Sequence, residues 1–273
     1  MEVFIAPIIY RGVLLMEQFS LISDPLFYLV AIPAIITIGI SKAGLGGTGS
    51  LATPLMALVV SVPQAAAVLL PSICIADIFA MWAYRKTWDK TNLKIMIPGA
   101  TIGIIVGTLG FKYLDSSIIK LIIGTIAVVF SFSRFIDYLR RKIPPAPTKA
   151  NIFKGGLWSS ICGFTSFVAH SGGPPLNVYL IPQRMDKTIY MGTLAVFYTY
   201  VNYAKIGPYW WLGQFNITNL STSFLLILAV PIGIFIGLWI QRKINDIVFY
   251  RAIMTILFMT GLKLCYDGIT GLI

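Results

Sequence analysis

The chain has 273 residues, 57% of them hydrophobic and only 11% charged, with a formal net charge of +11. A soluble domain carries about 25% charged residues, so this surface is too poor in charge to face water. Long unbroken apolar runs also exclude the ten-residue alternation of a lipid-embedded β-barrel. What remains is a bundle of membrane helices, since in lipid each segment must satisfy its own backbone hydrogen bonds. The basic excess calls for no nucleic-acid partner. Lys and Arg lie between apolar runs, as the positive-inside rule requires.

At the start, Met1-Glu2 has neither a basic leader nor a clean small-residue cleavage site after it, so no cleavable signal is expected. Residues 3–19 suit a short interfacial helix. Apolar segments follow at 26–42, 48–62, 64–84, 95–112, 117–139, 152–169, 174–183, 189–208, 220–240 and 247–265. A crossing takes about 20 residues, so 48–62 and 174–183 are too short to span, and each follows a glycine-rich break. The basic and proline-rich stretch 140–151 is the only evident linker. The expected organisation is an N-terminal repeat over 1–139 (the interfacial helix and five segments), a cytoplasmic linker over 140–151, and a five-segment C-terminal repeat over 152–273.

The halves resemble each other. Gly103 and Gly107 in one Ile-Gly-x-x-x-Gly run match Gly233 and Gly237 in another, with Lys112 and Arg242 at the same spacing beyond. Basic clusters at Arg85–Lys94, Arg140–Lys154, Arg184–Lys187 and Arg242–Lys243 are assigned to the cytoplasm. The loop 206–219 is uncharged and carries Tyr209, Trp210 and Trp211, as an outer interface does. It is the repeat mate of the basic loop 85–94, so the repeats are expected to be inverted, with both termini extracytoplasmic. This topology leaves Lys112 and Lys120 outside, near Asp115. The fold class is therefore an all-α polytopic membrane protein with two inverted repeats of about five helical segments each and short broken helices at matching positions, the pattern of secondary transporters.

Two signatures carry the candidate chemistry. The first is Ser41-Lys42-Ala43-Gly44-Leu45-Gly46-Gly47-Thr48-Gly49-Ser50, then Pro54. A glycine-rich break before a short helix leaves backbone N–H groups free to meet an anion, and Thr48 and Ser50 add hydroxyls. The competing reading is close helix packing through small residues, which suits scattered glycines such as Gly99, Gly103 and Gly107 better than this dense run. No Gly-Lys-Ser/Thr ending marks a nucleotide phosphate loop. The second signature is Gly163-Phe164-Thr165-Ser166, then His170-Ser171-Gly172-Gly173-Pro174-Pro175 and Asn177. His170 is the only histidine; beside a break within the membrane, an ionisable group points to function, although a lone histidine is usually structural. Candidate binding residues are Gly46, Gly47, Thr48, Gly49, Ser50, His170, Ser171, Gly172, Gly173 and Asn177.

Polar residues inside the spans give the pathway or coupling candidates: Lys42, Asp77, Trp82, Asn202, Tyr203 and Lys205. Asp77 and Asn202 read as repeat mates, and a structural bond to the opposing broken backbone is the alternative for Asp77. Tyr198, Tyr200 and Tyr203 form a polar aromatic stretch. Cys74, Cys162 and Cys265 all lie in apolar runs, which argues against disulfides and spaced metal sites; no metal or cofactor is expected.

The pattern Lys42-Ala43-Gly44-Leu45-Gly46-Gly47-Thr48-Gly49 with Pro54-Leu55 resembles the first signature of the TauE/SafE sulfite-exporter family, also called TSUP. His170-Ser171-Gly172-Gly173-Pro174 resembles its second, and the resemblance covers nearly the whole chain. It implies a secondary transporter, not an enzyme, for a small sulfur-containing anion such as sulfite or an organosulfonate, in a bacterial inner membrane. Its partners would be that anion, the lipid bilayer and a coupled proton or sodium ion, in a monomer or homodimer, with transport in either direction. Met191-Gly192-Thr193 keeps the family's threonine without its arginine, Leu69-Leu70 replaces a Thr-Ser pair, and Asp77 stands where an amide is expected. Two readings of other classes stay open: a membrane-embedded enzyme or sulfur-relay protein using Cys162, and a passive anion channel.

Overall fold

The structure is a computed structural model that describes residues 21–43, 48–113, 115–140, 147–243 and 246–272. The interfacial helix expected over 3–19 lies outside the described residues, as do Gly44–Gly47. The helices are α1 (Pro25–Lys42), α2 (Ala52–Met56), α3 (Val62–Ala83), α4 (Lys90–Gly110), α5 (Ser116–Arg140), α6 (Ile152–Ala169), α7 (Gly173–Leu180), α8 (Lys187–Ala204), α9 (Ile206–Trp211), α10 (Ile217–Ile227), α11 (Ala229–Lys243) and α12 (Asp246–Thr270). No strand occurs among the described residues. Among them, the helices Pro25–Lys42, Val62–Ala83 and Lys90–Gly110 and the stretch Ile217–Trp239 are long and apolar enough to cross a membrane.

Local chemistry sets the helix starts. Asp24, Ser61, Asp89, Asn151, Asp186 and Asn216 each accept a hydrogen bond from a first-turn backbone N–H, as N-cap residues do. The apolar run expected as one segment over 220–240 is divided at Leu228 into α10 and α11. Pro231 explains the division: it has no N–H to donate, and its ring crowds the carbonyl of Ile227. The loop expected over 206–219 contains the short helix α9, which ends at Trp211.

Glycines set how closely the long helices cross. A Cβ on Gly39 would lie 2.6 Å from the Gly233 carbonyl carbon, so α1 and α11 meet backbone to backbone. Gly103 likewise faces the Ser160 carbonyl and Gly163 faces that of Ala100, which locks α4 onto α6 just as tightly. Gly124 and Gly261 do the same for α5 and α12. The centre is formed by α3 and α8, with α10 packed on α3 and α4 on α8. The short helices α2 and α7 pack on α1 and α6, each against the helix before it in the chain.

Candidate functional site

Two polar clusters meet along α8. In the first, Lys42 at the end of α1 forms an ion pair with Asp77 Oδ1 on α3. Asn202 Nδ2 on α8 donates to the other oxygen, Asp77 Oδ2, at 2.6 Å. Asp77 is completely buried, whereas the Lys42 side chain keeps 16% of its surface open. A carboxylate at this depth is costly unless both oxygens are met, and here both are. The Lys42 ammonium also lies over the Tyr198 ring, 5.6 Å from its centre, within cation–π range.

The second cluster is built on the end of α6. His170 follows the last helical residue with φ 52°, in the left-handed region. Its N–H donates to the Ser166 carbonyl at 3.0 Å, and that of Ser171 donates to the Thr165 carbonyl at 3.2 Å. This is the helix-ending pattern in which glycine is usual at the left-handed position. The ring is fixed from both sides: His170 Nε2 is 2.9 Å from the Ala66 carbonyl oxygen, and Nδ1 is 2.8 Å from Lys205 Nζ. A carbonyl only accepts, so Nε2 carries the hydrogen and Nδ1 accepts from the lysine. Lys205 is completely buried, and its other bonds run to the carbonyl and the hydroxyl of Ser166, both at 3.1 Å.

Beyond His170 the chain turns into α7. Gly172 permits a close approach, because a Cβ there would lie 2.7 Å from Cys162 Sγ and 3.0 Å from the Cys162 carbonyl. Gly173 is the opposite case: a Cβ there would find one atom within 4 Å, the Tyr198 hydroxyl at 4.0 Å. The start of α7 therefore faces open space, bounded by the same tyrosine whose ring lies under Lys42. Ser171 is buried and donates to the Ala169 carbonyl at 3.2 Å. Asn177, one turn into α7, accepts from the Tyr190 hydroxyl at 2.5 Å.

Of the residues singled out from sequence, Lys42, Asp77 and Asn202 form the first cluster, while His170 and Lys205 form the second. Gly172 and Gly173 lie at the second break. Gly46 and Gly47 fall outside the described residues, and Thr48, Gly49 and Ser50 lie in the 3-10 turn Thr48–Leu51. Gly49 packs near α1, where a Cβ would come 3.2 Å from Ser41 Oγ. Two pathway candidates stand apart. Trp82 is 70% exposed under the Arg85 guanidinium. Tyr203 is half-exposed, and its hydroxyl donates to the Cys74 carbonyl at 3.4 Å. Sequence reasoning left Ser166 and Tyr198 off the candidate list. The spacing of Tyr198, Asn202 and Lys205 at i, i+4 and i+7 on one helix face is the signal that would have found Tyr198. Cys162, the candidate for a sulfur relay, is completely buried.

A lipid-embedded helical bundle whose chain breaks gather buried charges beside an open space has the build of a membrane transport protein. Residues 31–264 match the family model described as Sulfite exporter TauE/SafE, and the chain belongs to that family, a family of multi-pass membrane transporters. Neither a curated protein nor a solved structure gives a match.

Proposed function

We propose that this chain is a secondary transporter of a small sulfur-containing anion, sulfite or an organosulfonate, in a bacterial inner membrane. The anion binds where the two broken segments face each other and is exposed to alternate sides in turn. The observation that carries this reading is that Lys42, the last residue of α1, lies over the Tyr198 ring, and the hydroxyl of that tyrosine bounds the open space at the α7 start, which follows the His170–Lys205 cluster. At the α7 start Gly172 and Gly173 carry the N–H groups that would meet an anion, since Pro174 and Pro175 have none and that of Leu176 donates to the Gly172 carbonyl; the Thr48–Leu51 turn is the counterpart in the first half.

Two inverted repeats, over 1–139 and 152–273, would provide the alternation. The packing supports this arrangement. Exchanging α1, α3, α4 and α5 for α6, α8, α10–α11 and α12 turns the α4–α6 contact into the α11–α1 contact and maps α3–α8 and α5–α12 onto themselves. The repeat-mate glycines Gly103 and Gly233 make the equivalent crossings. Two amide pairs join the halves: Asn92 with Gln183, through bonds of 2.9 and 3.2 Å, and Asn219 with Gln64 at 3.4 Å. Gln64 is at the start of α3, and Asn92 follows its end. A helix of 22 residues is about 33 Å long, so the pairs would close opposite ends of the bundle.

Outward movement of an anion runs with the inside-negative potential, which supplies about 2.3 kcal/mol per charge per 100 mV. Inward movement would need a coupled proton or sodium ion, with Asp77 and His170 at the place where such coupling would act. The test is ligand-dependent melting of purified protein with sulfite, thiosulfate, sulfoacetate and an aromatic sulfonate. A ligand that binds only the folded state stabilises it by about 2.7 kcal/mol at 100 times its Kd. At least one of these anions is expected to raise the melting temperature, and His170→Ala is expected to abolish that rise. A rise retained in full by His170→Ala removes the second break from the site.

A further inference from the structure

We infer that the Lys42–Asp77 ion pair is the coupling device of this transporter: an anion arriving at Lys42 makes Asp77 take up a proton, so that anion and proton move together. The inference rests on the transport reading above and adds the identity of the coupled ion and of the residue that carries it. Lys42 is the cation of the site that an anion can reach. Its side chain keeps 16% of its surface open, whereas Lys205 is completely buried. It is the last residue of α1, directly before the first break. Its ammonium lies over the Tyr198 ring, and the hydroxyl of that tyrosine bounds the open space before α7. Among the described residues Asp77 Oδ1 is its one hydrogen-bond acceptor. An ammonium has three hydrogens to donate, enough to hold an oxyanion as well.

Asp77 is the group that must answer the anion. It is completely buried, and its oxygens are met by one ammonium and one amide, those of Lys42 and Asn202. With an anion on Lys42, two negative charges share that ammonium, and no water reaches the carboxylate to screen the second. A buried acid beside a like charge takes a proton and becomes neutral. The proton goes to Oδ1, the oxygen that Lys42 occupied, while Asn202 goes on donating to Oδ2. When the anion leaves, the proton leaves and the ion pair re-forms. A hard metal cation takes its ligands from several oxygens, whereas the partners of Asp77 are nitrogen donors, so the coupled ion is a proton. Among the described residues, the other titratable groups close enough to act on Asp77 are Cys74 on its own helix and Tyr198, Tyr203 and Lys205 on α8. The helices α2 and α10, also packed on α3, contain none. Lys205 bonds to Ser166 and His170 rather than to Asp77, so it does not replace Lys42 as a partner.

Methanesulfonate is the probe, because it stays a monoanion across the working pH range and brings no proton of its own. Purified protein is placed in liposomes loaded with a pH-sensitive dye, with the membrane potential held at zero. An inward methanesulfonate gradient is expected to acidify the lumen through wild type, one proton for each anion. The KM of wild type is expected to rise with pH by up to about ten-fold per unit. Asp77→Asn still presents an amide to Asn202 but cannot take the proton. It is expected to carry methanesulfonate without acidifying the lumen, with a KM that is flat across pH and, at high pH, lower than that of wild type by about five-fold or more. Wild type that moves the anion without proton movement would overturn the inference and leave transport standing. So would an Asp77→Asn protein that acidifies the lumen as wild type does, or one that is folded but neither binds nor moves the anion, the mark of a merely structural carboxylate. If folded wild type moves neither methanesulfonate nor sulfite, the transport reading itself falls. Should Asp77→Asn fail to fold, wild-type melting decides: stabilisation by methanesulfonate that grows as pH falls supports the coupling, and stabilisation that is equal at every pH overturns it.

Discussion

His170 occupies a position where glycine would be easiest. Its φ of 52° costs a residue with a Cβ about 1–2 kcal/mol, and strain of this kind persists where surrounding contacts enforce it. Here the enforcing contacts are Ala66 and Lys205, both outside α6. The two glycines that follow divide the labour, and a pair of substitutions tests this. Gly172→Ala pushes a methyl group into Cys162 and is expected to destabilise the fold by about 1–3 kcal/mol. Gly173→Ala meets open space and is expected to leave stability unchanged or raise it by about 0.4–1 kcal/mol. Melting of both variants in detergent checks the contrast; equal loss in both would mean that the space before α7 is filled. At this scale sequence reading found His170, Asp77, Asn202 and Lys205, because charged or amide groups in apolar runs stand out. It did not pair them. Lys42 lies far from Asp77 in sequence, and Lys205 bonds to a carbonyl and a hydroxyl of Ser166, partners that leave no compositional trace.

The helices were largely legible. The expected segment 152–169 coincides with α6, and 26–42 differs from α1 by a single residue. Two starts moved outward: α4 begins at Lys90 and α8 at Lys187, because Asp89 and Asp186 cap polar turns that hydropathy assigns to loops. The division at Leu228 was also hidden, since Pro231 is apolar and does not interrupt a hydropathy run. Elements are also joined by polar groups that no pattern announces. The Asn92–Gln183 pair ties the start of α4 to the turn after α7. Replacing either amide with alanine takes two hydrogen bonds from its partner and is expected to cost about 1–3 kcal/mol, whereas replacing both should cost less than the sum of the two single losses. A double-mutant cycle on melting free energies measures this. Strict additivity would show that the pair does not couple the two halves.

At the scale of the whole molecule, low charge and long apolar runs were enough to place the chain in lipid, and the described helices and the family agree. Gly103 and Gly233, matched between the halves in sequence, each lie at a tight helix crossing, α4 on α6 and α11 on α1. What sequence could not supply is that the end of α1 and the start of α7 share Tyr198 as a neighbour, since that depends on how α1 and α6 cross the helices around them. The central claim is that an anion passes through the space before α7, and flux through the protein in liposomes tests it most directly. Wild type and Gly173→Leu would be compared for sulfite movement at equal reconstitution, after both are shown to be folded. Wild type is expected to carry sulfite, and the leucine, filling the space beside Tyr198, to reduce the rate by about ten-fold or more. Equal rates in the two proteins would contradict the account, because the anion would then be taking a route that does not pass the second break.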